Sequence, residues 1–100
     1  MLESALEKIF VREVKKLGGK AYKWVSPGNA GVPDRIVILP NMTPIFVELK
    51  TESGKLTNLQ KVQCNRLADY GQRVEVLHGL NDVRLFLERV KKELGTEVIK

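Results

Sequence analysis

Cysteine and histidine are almost absent from this sequence of 100 residues, which contains one of each. The single cysteine, Cys64, excludes an internal disulfide and a zinc site built on thiolates, and it fits a reducing compartment. The single histidine, His78, leaves little basis for an imidazole metal centre or for Ser-His-Asp chemistry. We therefore expect any bound metal ion to have oxygen ligands, and the candidate functional groups to be carboxylates.

Long apolar runs are also missing. The longest uncharged apolar stretch, 36–46, is interrupted by two prolines and an asparagine, so it cannot span a bilayer. Glu3 and Glu7 near the N-terminus are untypical of a signal peptide. No segment has the composition of a disordered tail, and we find no internal repeat. The expectation is one soluble, cytoplasmic domain over residues 1–100, which is too short for two cores.

Basic residues outnumber acidic ones, 17 to 12, which gives a formal net charge of +5. This balance favours a polyanionic partner such as nucleic acid. Many basic proteins bind no nucleic acid, so the charge by itself assigns no function.

The hydrophobic pattern predicts three helices and four strands. In chain order they are a helix over 2–17, strands over 21–25, 35–39 and 45–49, a helix over 57–70, a strand over 73–77, and a helix opened by Asn81 and closed by Gly95. Thr57 is the predicted N-cap of the second helix, with Gln60 in the capping-box position. The order αβββαβα predicts an α/β fold in which helices flank a mixed sheet.

The strand over 45–49 carries a carboxylate among apolar residues. Side chains alternate between the faces of a strand, so Glu48 and Lys50 share one face. A buried carboxylate is costly unless a positive charge, such as a metal ion, compensates it. Asp34 lies at the start of the adjoining hairpin strand, where antiparallel pairing can bring it close to Glu48. Two carboxylates and a lysine would then converge.

This set of side chains suits phosphodiester hydrolysis. Mg²⁺ favours one or two carboxylates, keeps several waters and can also hold a phosphate oxygen. Lys50 would orient the attacking water or offset charge that develops on the phosphate. The alternative is an exposed cross-strand salt bridge, and on Asp34, Glu48 and Lys50 alone the two interpretations stand about equal.

A wider pattern favours the first interpretation. Residues 31–35 (Gly-Val-Pro-Asp-Arg), followed later by 48–50 (Glu-Leu-Lys), resemble the signature of the PD-(D/E)XK nucleases. The chain most resembles the virus-type replication-repair nuclease (VRR-Nuc) family in its short, standalone, phage-like form. The resemblance extends over nearly the whole chain and implies a restriction-endonuclease-like core.

The resemblance also implies roles for individual residues. Asp34 and Glu48 correspond to metal ligands, the backbone carbonyl of Leu49 to a further ligand, and Lys50 to the catalytic lysine. The implied ion is Mg²⁺ or Mn²⁺.

Two more side chains enter through the same resemblance. The family has an acidic residue on the first helix, which acts on the metal directly or through water. Glu7 is favoured because it lies at the edge of the apolar stripe, with Glu3 as the alternative; whichever is not used would be a helix N-terminal acid stabilised by the dipole. Gln60 matches a glutamine near the family's active site, although it also fits a plain capping box.

Four cations are candidates for contacts with DNA phosphates: Lys23, Arg35, Lys55 and Lys61. The competing interpretation is that scattered lysines solvate the surface.

The function predicted from sequence is a metal-dependent endodeoxyribonuclease, and the resemblance suggests selectivity for four-way junctions or other branched DNA. The alternatives are a sequence- or flap-directed nuclease, a catalytically silent DNA-binding module, and a basic protein-interaction domain without metal affinity. A homodimer is expected because a two-fold pair presents two sites to a two-fold substrate. Val32, Met42 and Ile45 are candidates for its interface.

Overall fold

A computed structural model describes the backbone of residues 1–99 and the side chains of residues 1–95. The chain begins with helix α1, Glu3–Lys16, whose buried residues Leu6, Phe10 and Val14 recur at four-residue intervals. An acidic residue lies in its first turn and two lysines in its last, which is the favourable arrangement for the helix dipole. The apolar stripe and the charges at the two ends therefore both favour a helix over these residues.

Four strands form one sheet in the order β1-β2-β3-β4. Their bounds are β1 Lys20–Lys23, β2 Arg35–Ile38, β3 Ile45–Lys50 and β4 Arg73–His78. The first three strands are antiparallel neighbours, whereas β4 runs parallel to β3. Helix α2, Asn58–Asp69, connects those parallel strands, and α3, Gly79–Ile99, follows β4. This confirms the predicted αβββαβα order and the mixed sheet.

The two faces of the sheet are covered differently. On β3, Ile45, Val47 and Leu49 belong to the buried core formed with α1 and α3. The alternating residues Phe46, Glu48 and Lys50 face the side on which α2 packs against β4. The strand that carries the candidate chemistry thus has one face in the core and the other beneath α2.

The predicted bounds of the last helix are wrong. The helix begins at Gly79, ahead of Asn81, and the carboxylate of Asp82 accepts the N–H of His78 at 2.8 Å. The helix therefore starts two residues before the predicted N-cap, and the Asp82 side chain bonds to the backbone just ahead of its first turn. Gly95 lies within the helix. It is not among the glycines with positive φ, the conformation in which glycine commonly ends a helix.

The other elements agree with their predicted bounds to within one or two residues. The predicted capping box is confirmed, with Thr57 as N-cap and Gln60 as its partner. Among the described residues, none of the helices is long and apolar enough to cross a membrane.

The loop between β1 and β2 packs against the first turns of α2. Gly31 has a φ of +90°, and a Cβ there would lie 2.6 Å from the carbonyl carbon of Leu59. The Gln63 side chain donates a hydrogen bond to the carbonyl of Ala30 at 3.3 Å. This contact fixes the loop immediately before Asp34, and only glycine allows so close an approach.

Two glycine substitutions separate the steric contact from the backbone strain. Gly28 has a φ of +80°, but a Cβ added there would meet nothing within 4 Å, so Gly28→Ala should cost only the strain, about 1 kcal/mol. Gly31→Ala adds the clash with α2, and the loss should reach about 3 kcal/mol. Urea unfolding of both variants measures the difference. Equal losses would mean that the loop does not depend on the contact with α2.

Candidate active site

Glu48 is the only charged side chain that is buried among the described residues, with 2% of its surface exposed. It occupies β3 between the core residues Val47 and Leu49, with its own side chain on the α2 face. Its Oε2 atom has partners, whereas Oε1 is buried and has no hydrogen-bond partner among the described residues. A buried carboxylate oxygen left in this state is destabilising unless a cation or donor binds to it.

Asp34 lies beside Glu48, as the sequence predicted. It immediately precedes β2, whose first residue pairs with Val47 on β3. Its carboxylate Oδ2 accepts the backbone N–H of Leu49 at 3.1 Å, and its carbonyl accepts the N–H of Trp24 at 2.9 Å. Hydrogen bonds to Leu49 on β3 and to Trp24, the residue after β1, therefore hold Asp34 at the start of β2.

The environment raises the pKa of Glu48 to about 7. Burial is the main cause, because it disfavours the charged form, and the negative charge of Asp34 adds to it. The ammonium of Lys50 acts in the opposite direction, and Glu3 contributes a further repulsion. A bound cation would offset the repulsion between the two carboxylates.

Gln60 reaches the site from α2. Its side-chain Oε1 accepts the N–H of Thr57 at 2.9 Å, and the Thr57 hydroxyl accepts the N–H of Gln60 at 3.2 Å. The remaining amide group, Nε2, donates to Glu48 Oε2 at 3.2 Å. Gln60 therefore both caps α2 and contacts the site, because the capping hydrogen bond orients its amide toward the Glu48 carboxylate.

Lys50 lies on the same face of β3 as Glu48, and its Nζ is 3.8 Å from Glu48 Oε2. Its side chain is 14% exposed, so the ammonium is largely shielded from water. The alternative of an exposed cross-strand salt bridge does not describe this pair, because both residues are on one strand and one of them is buried.

The two acidic candidates on α1 lie in different surroundings. Glu7 forms an ion pair with Arg35, and Lys23 Nζ is 4.0 Å from the same oxygen. Glu3 is the residue whose charge acts on Glu48. Because α1 ends next to the start of β1, its first turn lies toward the opposite end of β1, on the side where β2 begins after Asp34. Glu3 therefore stays a candidate for the carboxylate site beside Glu7.

The four predicted DNA-binding cations lie on different elements. Lys23 and Arg35 are engaged with Glu7, on the side of the sheet where α1 packs. Lys55 precedes α2 and Lys61 lies in its first turns, and both are exposed.

Cys64 is a neighbour of the site that the sequence did not reveal. It is buried, as expected for a small apolar residue, and lies one turn after Gln60 on α2. Burial raises the pKa of its thiol, and the negative charge of Glu48 adds to this effect. The four-residue spacing from Gln60 is the signal that would have placed it on this face.

The donor set fits a hard divalent cation. The side chains of Asp34 and Glu48 converge, Glu48 Oε1 is free to bind, and oxygen ligands of this kind suit Mg²⁺ or Mn²⁺. Among residues 1–95, no group of three or more histidine, cysteine, aspartate or glutamate side chains is arranged to hold an ion. The arrangement is therefore typical of a magnesium-type site, in which water and phosphate oxygens complete the coordination.

Known proteins share this fold and sequence. The model of the VRR-NUC domain family matches residues 2–81. "Putative nuclease p44" of Acyrthosiphon pisum secondary endosymbiont phage 1 is 52% identical over 75 residues, which are 75% of this chain and 81% of that protein. A solved structure described as "VRR_NUC domain" is 31% identical, with a TM-score of 0.81 over 86% of this chain and 94% of that one. A second, "VRR_NUC domain protein", has the same fold at 17% identity, with a TM-score of 0.73 over 89% of this chain and 87% of that one.

The mixed sheet, with Asp34 before β2 and Glu48 and Lys50 on β3, defines a nuclease domain of the PD-(D/E)XK type. Within that class, the chain belongs to the VRR-NUC domain family. This confirms the family and fold that the sequence predicted.

The raised pKa of Glu48 predicts how pH changes stability in the absence of divalent ions. Glu48 has a folded-state pKa of about 7 against an ordinary 4.5, so its ionisation destabilises the fold as pH rises through this interval. Glu48→Gln removes that cost and keeps an acceptor for Gln60. The variant should gain stability over the wild type between about pH 5 and about pH 8, by on the order of 2 kcal/mol.

Urea unfolding in a chelator, repeated across that pH range, measures the gain. Glu88→Gln, on exposed α3, is the matched control and should show no such trend. A Glu48→Gln variant whose advantage is the same at both pH values would contradict the assigned titration.

Proposed function

We propose that this protein is a Mg²⁺- or Mn²⁺-dependent endonuclease that hydrolyses phosphodiester bonds in DNA and prefers branched substrates. The observation that carries the proposal is the buried Glu48 carboxylate, which has one oxygen without a partner and lies beside Asp34 and Lys50. Membership of a nuclease family supports the reaction class. The preference for branched DNA rests on the resemblance to the VRR-Nuc family.

Asp34 and Glu48 would hold the ion, together with the backbone carbonyl of Leu49. The bound ion would supply Lewis-acid activation of water and of the phosphate. Glu3, whose charge acts on Glu48, is the better placed acidic residue of α1 to contribute at longer range. Glu7 would instead hold Arg35 in place.

The other side chains orient these ligands and stabilise charge. Gln60 donates to Glu48 Oε2, which leaves Oε1 as the oxygen available for binding. The N–H of Leu49 holds Asp34 Oδ2 in the same way. Lys50 is a shielded ammonium within 3.8 Å of Glu48, so it can stabilise negative charge that develops on the phosphate in the transition state.

The same site could serve a flap-directed or sequence-specific nuclease, and the substrate decides between them. A panel of linear, flap, fork and four-way DNAs, assayed with Mg²⁺ and with Mn²⁺, tests activity and selectivity together. Equal cleavage of all four would exclude structure selectivity. Cleavage of none would favour the silent DNA-binding module or the protein-interaction domain.

Replacing the central residues should separate ion binding from catalysis. Asp34→Ala and Glu48→Ala each remove an ion ligand and should abolish both Mn²⁺ binding and cleavage. Lys50→Ala should retain Mn²⁺ binding but lower the cleavage rate by on the order of 10² to 10³, as for other lost charge stabilisers.

Calorimetric titration with Mn²⁺ and single-turnover cleavage measure the two properties. Lys91→Ala, on the exposed surface of α3, is the matched control and should behave like the wild type. Full turnover by Lys50→Ala would remove this lysine from the mechanism, and Mg²⁺-dependent cutting by either carboxylate variant would refute the site.

We also propose a two-fold homodimer, and the face of the sheet opposite α1 is a better candidate interface than the residues suggested by sequence. Ile45 is buried in the core and Met42 packs against the core, so neither is a strong candidate, whereas Val32 is half-buried and stays one. On neighbouring strands of that opposite face, Tyr22 and Ile38 are 49% and 40% exposed. A second copy would remove this apolar surface from water, with Lys20, which pairs with Ile38 and lies over the Tyr22 ring, at its rim.

Subunit exchange tests the dimer and its consequence for cleavage. Wild-type protein mixed with Glu48→Ala should form mixed dimers that nick one strand of a four-way junction without making the paired second cut. Ile38→Glu should produce a monomer in sedimentation, whereas Leu85→Glu, an exposed apolar position on α3, should leave the dimer intact. A wild-type monomer with DNA bound would contradict the proposal.

A further inference from the structure

A basic depression runs along the outer surface between α1 and β1, outside the carboxylate site. Two adjoining cavities form it, and they share Val11, Lys15, Lys23 and Arg35 in their linings, so the depression is continuous. We call it the α1–β1 groove. Its cationic side chains come from three elements and are Lys8, Arg12, Lys15, Lys20, Lys23 and Arg35.

Positive charge in the α1–β1 groove is only partly compensated. Glu7 is the one carboxylate in its lining and pairs with Arg35 and Lys23. Arg12 pairs with Glu13, which lies outside the lining, at 3.4 Å. Lys8 and Lys15 have no ion-pair partner among the described residues. The depression on the opposite flank of α1, toward α3, differs because its cations Lys16, Arg84 and Lys91 are balanced in part by Glu13 and Glu88. A polyanion is therefore favoured on the β1 side.

The cations from α1 form a row. Lys8, Arg12 and Lys15 are spaced four and three residues apart, so they project from one side of the helix. At 1.5 Å per residue, Lys8 and Lys15 are about 10 Å apart along the axis, the length of about three base pairs of duplex DNA. A row of this length can follow a phosphate backbone.

One end of the α1–β1 groove is lined by chain neighbours of the carboxylate-site residues, although the groove lies on the α1 side of the sheet and Glu48 on the α2 side. Ser4 lines this end of the groove and follows Glu3, the acidic residue whose charge acts on Glu48. Arg35, in the wall, follows Asp34 directly. DNA with a phosphate at the carboxylates would therefore meet the groove as it leaves the site.

We infer that the α1–β1 groove binds the phosphate backbone of a duplex arm that extends from the cleaved bond. This inference rests on the proposed nuclease function and specifies that the DNA on the groove side of the carboxylate site is double-stranded. A duplex is favoured over a single strand because the one aromatic ring in the groove, Tyr22, belongs to the sheet face proposed for the dimer and lies under Lys20 Nζ at 4.7 Å. The groove thus offers phosphate contacts without a free platform for base stacking.

The experiment compares two charge-matched double variants. Lys8→Gln/Lys15→Gln removes two cations from the α1–β1 groove, and Arg84→Gln/Lys91→Gln removes two from the α3 side. Binding to a four-way junction is measured in a chelator by fluorescence anisotropy over a salt series, first with long arms and then with each arm cut to a few base pairs. Thermal unfolding checks that both variants are folded.

We expect Lys8→Gln/Lys15→Gln, the groove variant, to bind the long-armed junction on the order of tenfold more weakly. The slope of its log affinity against log salt concentration should be smaller by about 2. Its affinity for the short-armed junction should be close to that of the wild type. The Arg84→Gln/Lys91→Gln control should match the wild type on both substrates. A groove variant with the wild-type salt slope on long arms would overturn the inference, as would an equal loss in both double variants.

Cleavage by the wild type separates this inference from the proposed function. If the wild type cleaves DNA while the groove variant binds long arms normally, the nuclease assignment stands and the groove assignment is wrong. If the groove variant loses long-arm binding but the wild type cleaves no DNA in Mg²⁺ or Mn²⁺, the groove assignment stands and the nuclease assignment is wrong.

Discussion

A carboxylate buried in a hydrophobic strand is the constraint on which the rest of the site depends. Glu48 is 2% exposed, and its neighbours Val47 and Leu49 anchor the strand in the core. Burial and the charge of Asp34 together oppose ionisation of Glu48, yet the fold tolerates both. A cation bound to the pair would remove the repulsion and the unsatisfied oxygen at once, so ion binding and stability are linked.

The segments around β3 hold this unfavourable arrangement in place. The β1–β2 loop packs against α2 through Gly31, which positions Asp34, and the capping box of α2 aims Gln60 at Glu48. The close contact at Gly31 and the capping box are local backbone features with rigid geometry and a small cost in free energy. The side chains proposed to bind the ion are therefore held in place by contacts within the protein, as electrostatic catalysis requires.

Features set by local periodicity were predictable from the sequence. Strand alternation placed Glu48 and Lys50 on one face, hairpin pairing brought Asp34 beside them, and the Thr57 capping pattern located α2. Each depends on residues close together in the chain or on one strand register.

Features that depend on how elements pack were not predictable. Helical spacing cannot tell the surroundings of the two acidic residues of α1: Glu7 pairs with Arg35, whereas the charge of Glu3 acts on Glu48. The start of α3 was misplaced because the helix begins at Gly79 and Asp82, rather than Asn81, bonds to the backbone ahead of it. The α1–β1 groove joins cations from three elements, and only their assembly shows that its lining contains a single carboxylate.

The central claim is tested most directly by counting the protons that Mn²⁺ releases on binding, using calorimetry in buffers of different ionisation enthalpy. Because Glu48 has a pKa of about 7, the wild type should release close to one proton per ion near pH 6 and few near pH 8.5, whereas Glu48→Gln should bind weakly and release none. Tight Mn²⁺ binding by Glu48→Gln, or proton release by the wild type that does not change with pH, would contradict the account.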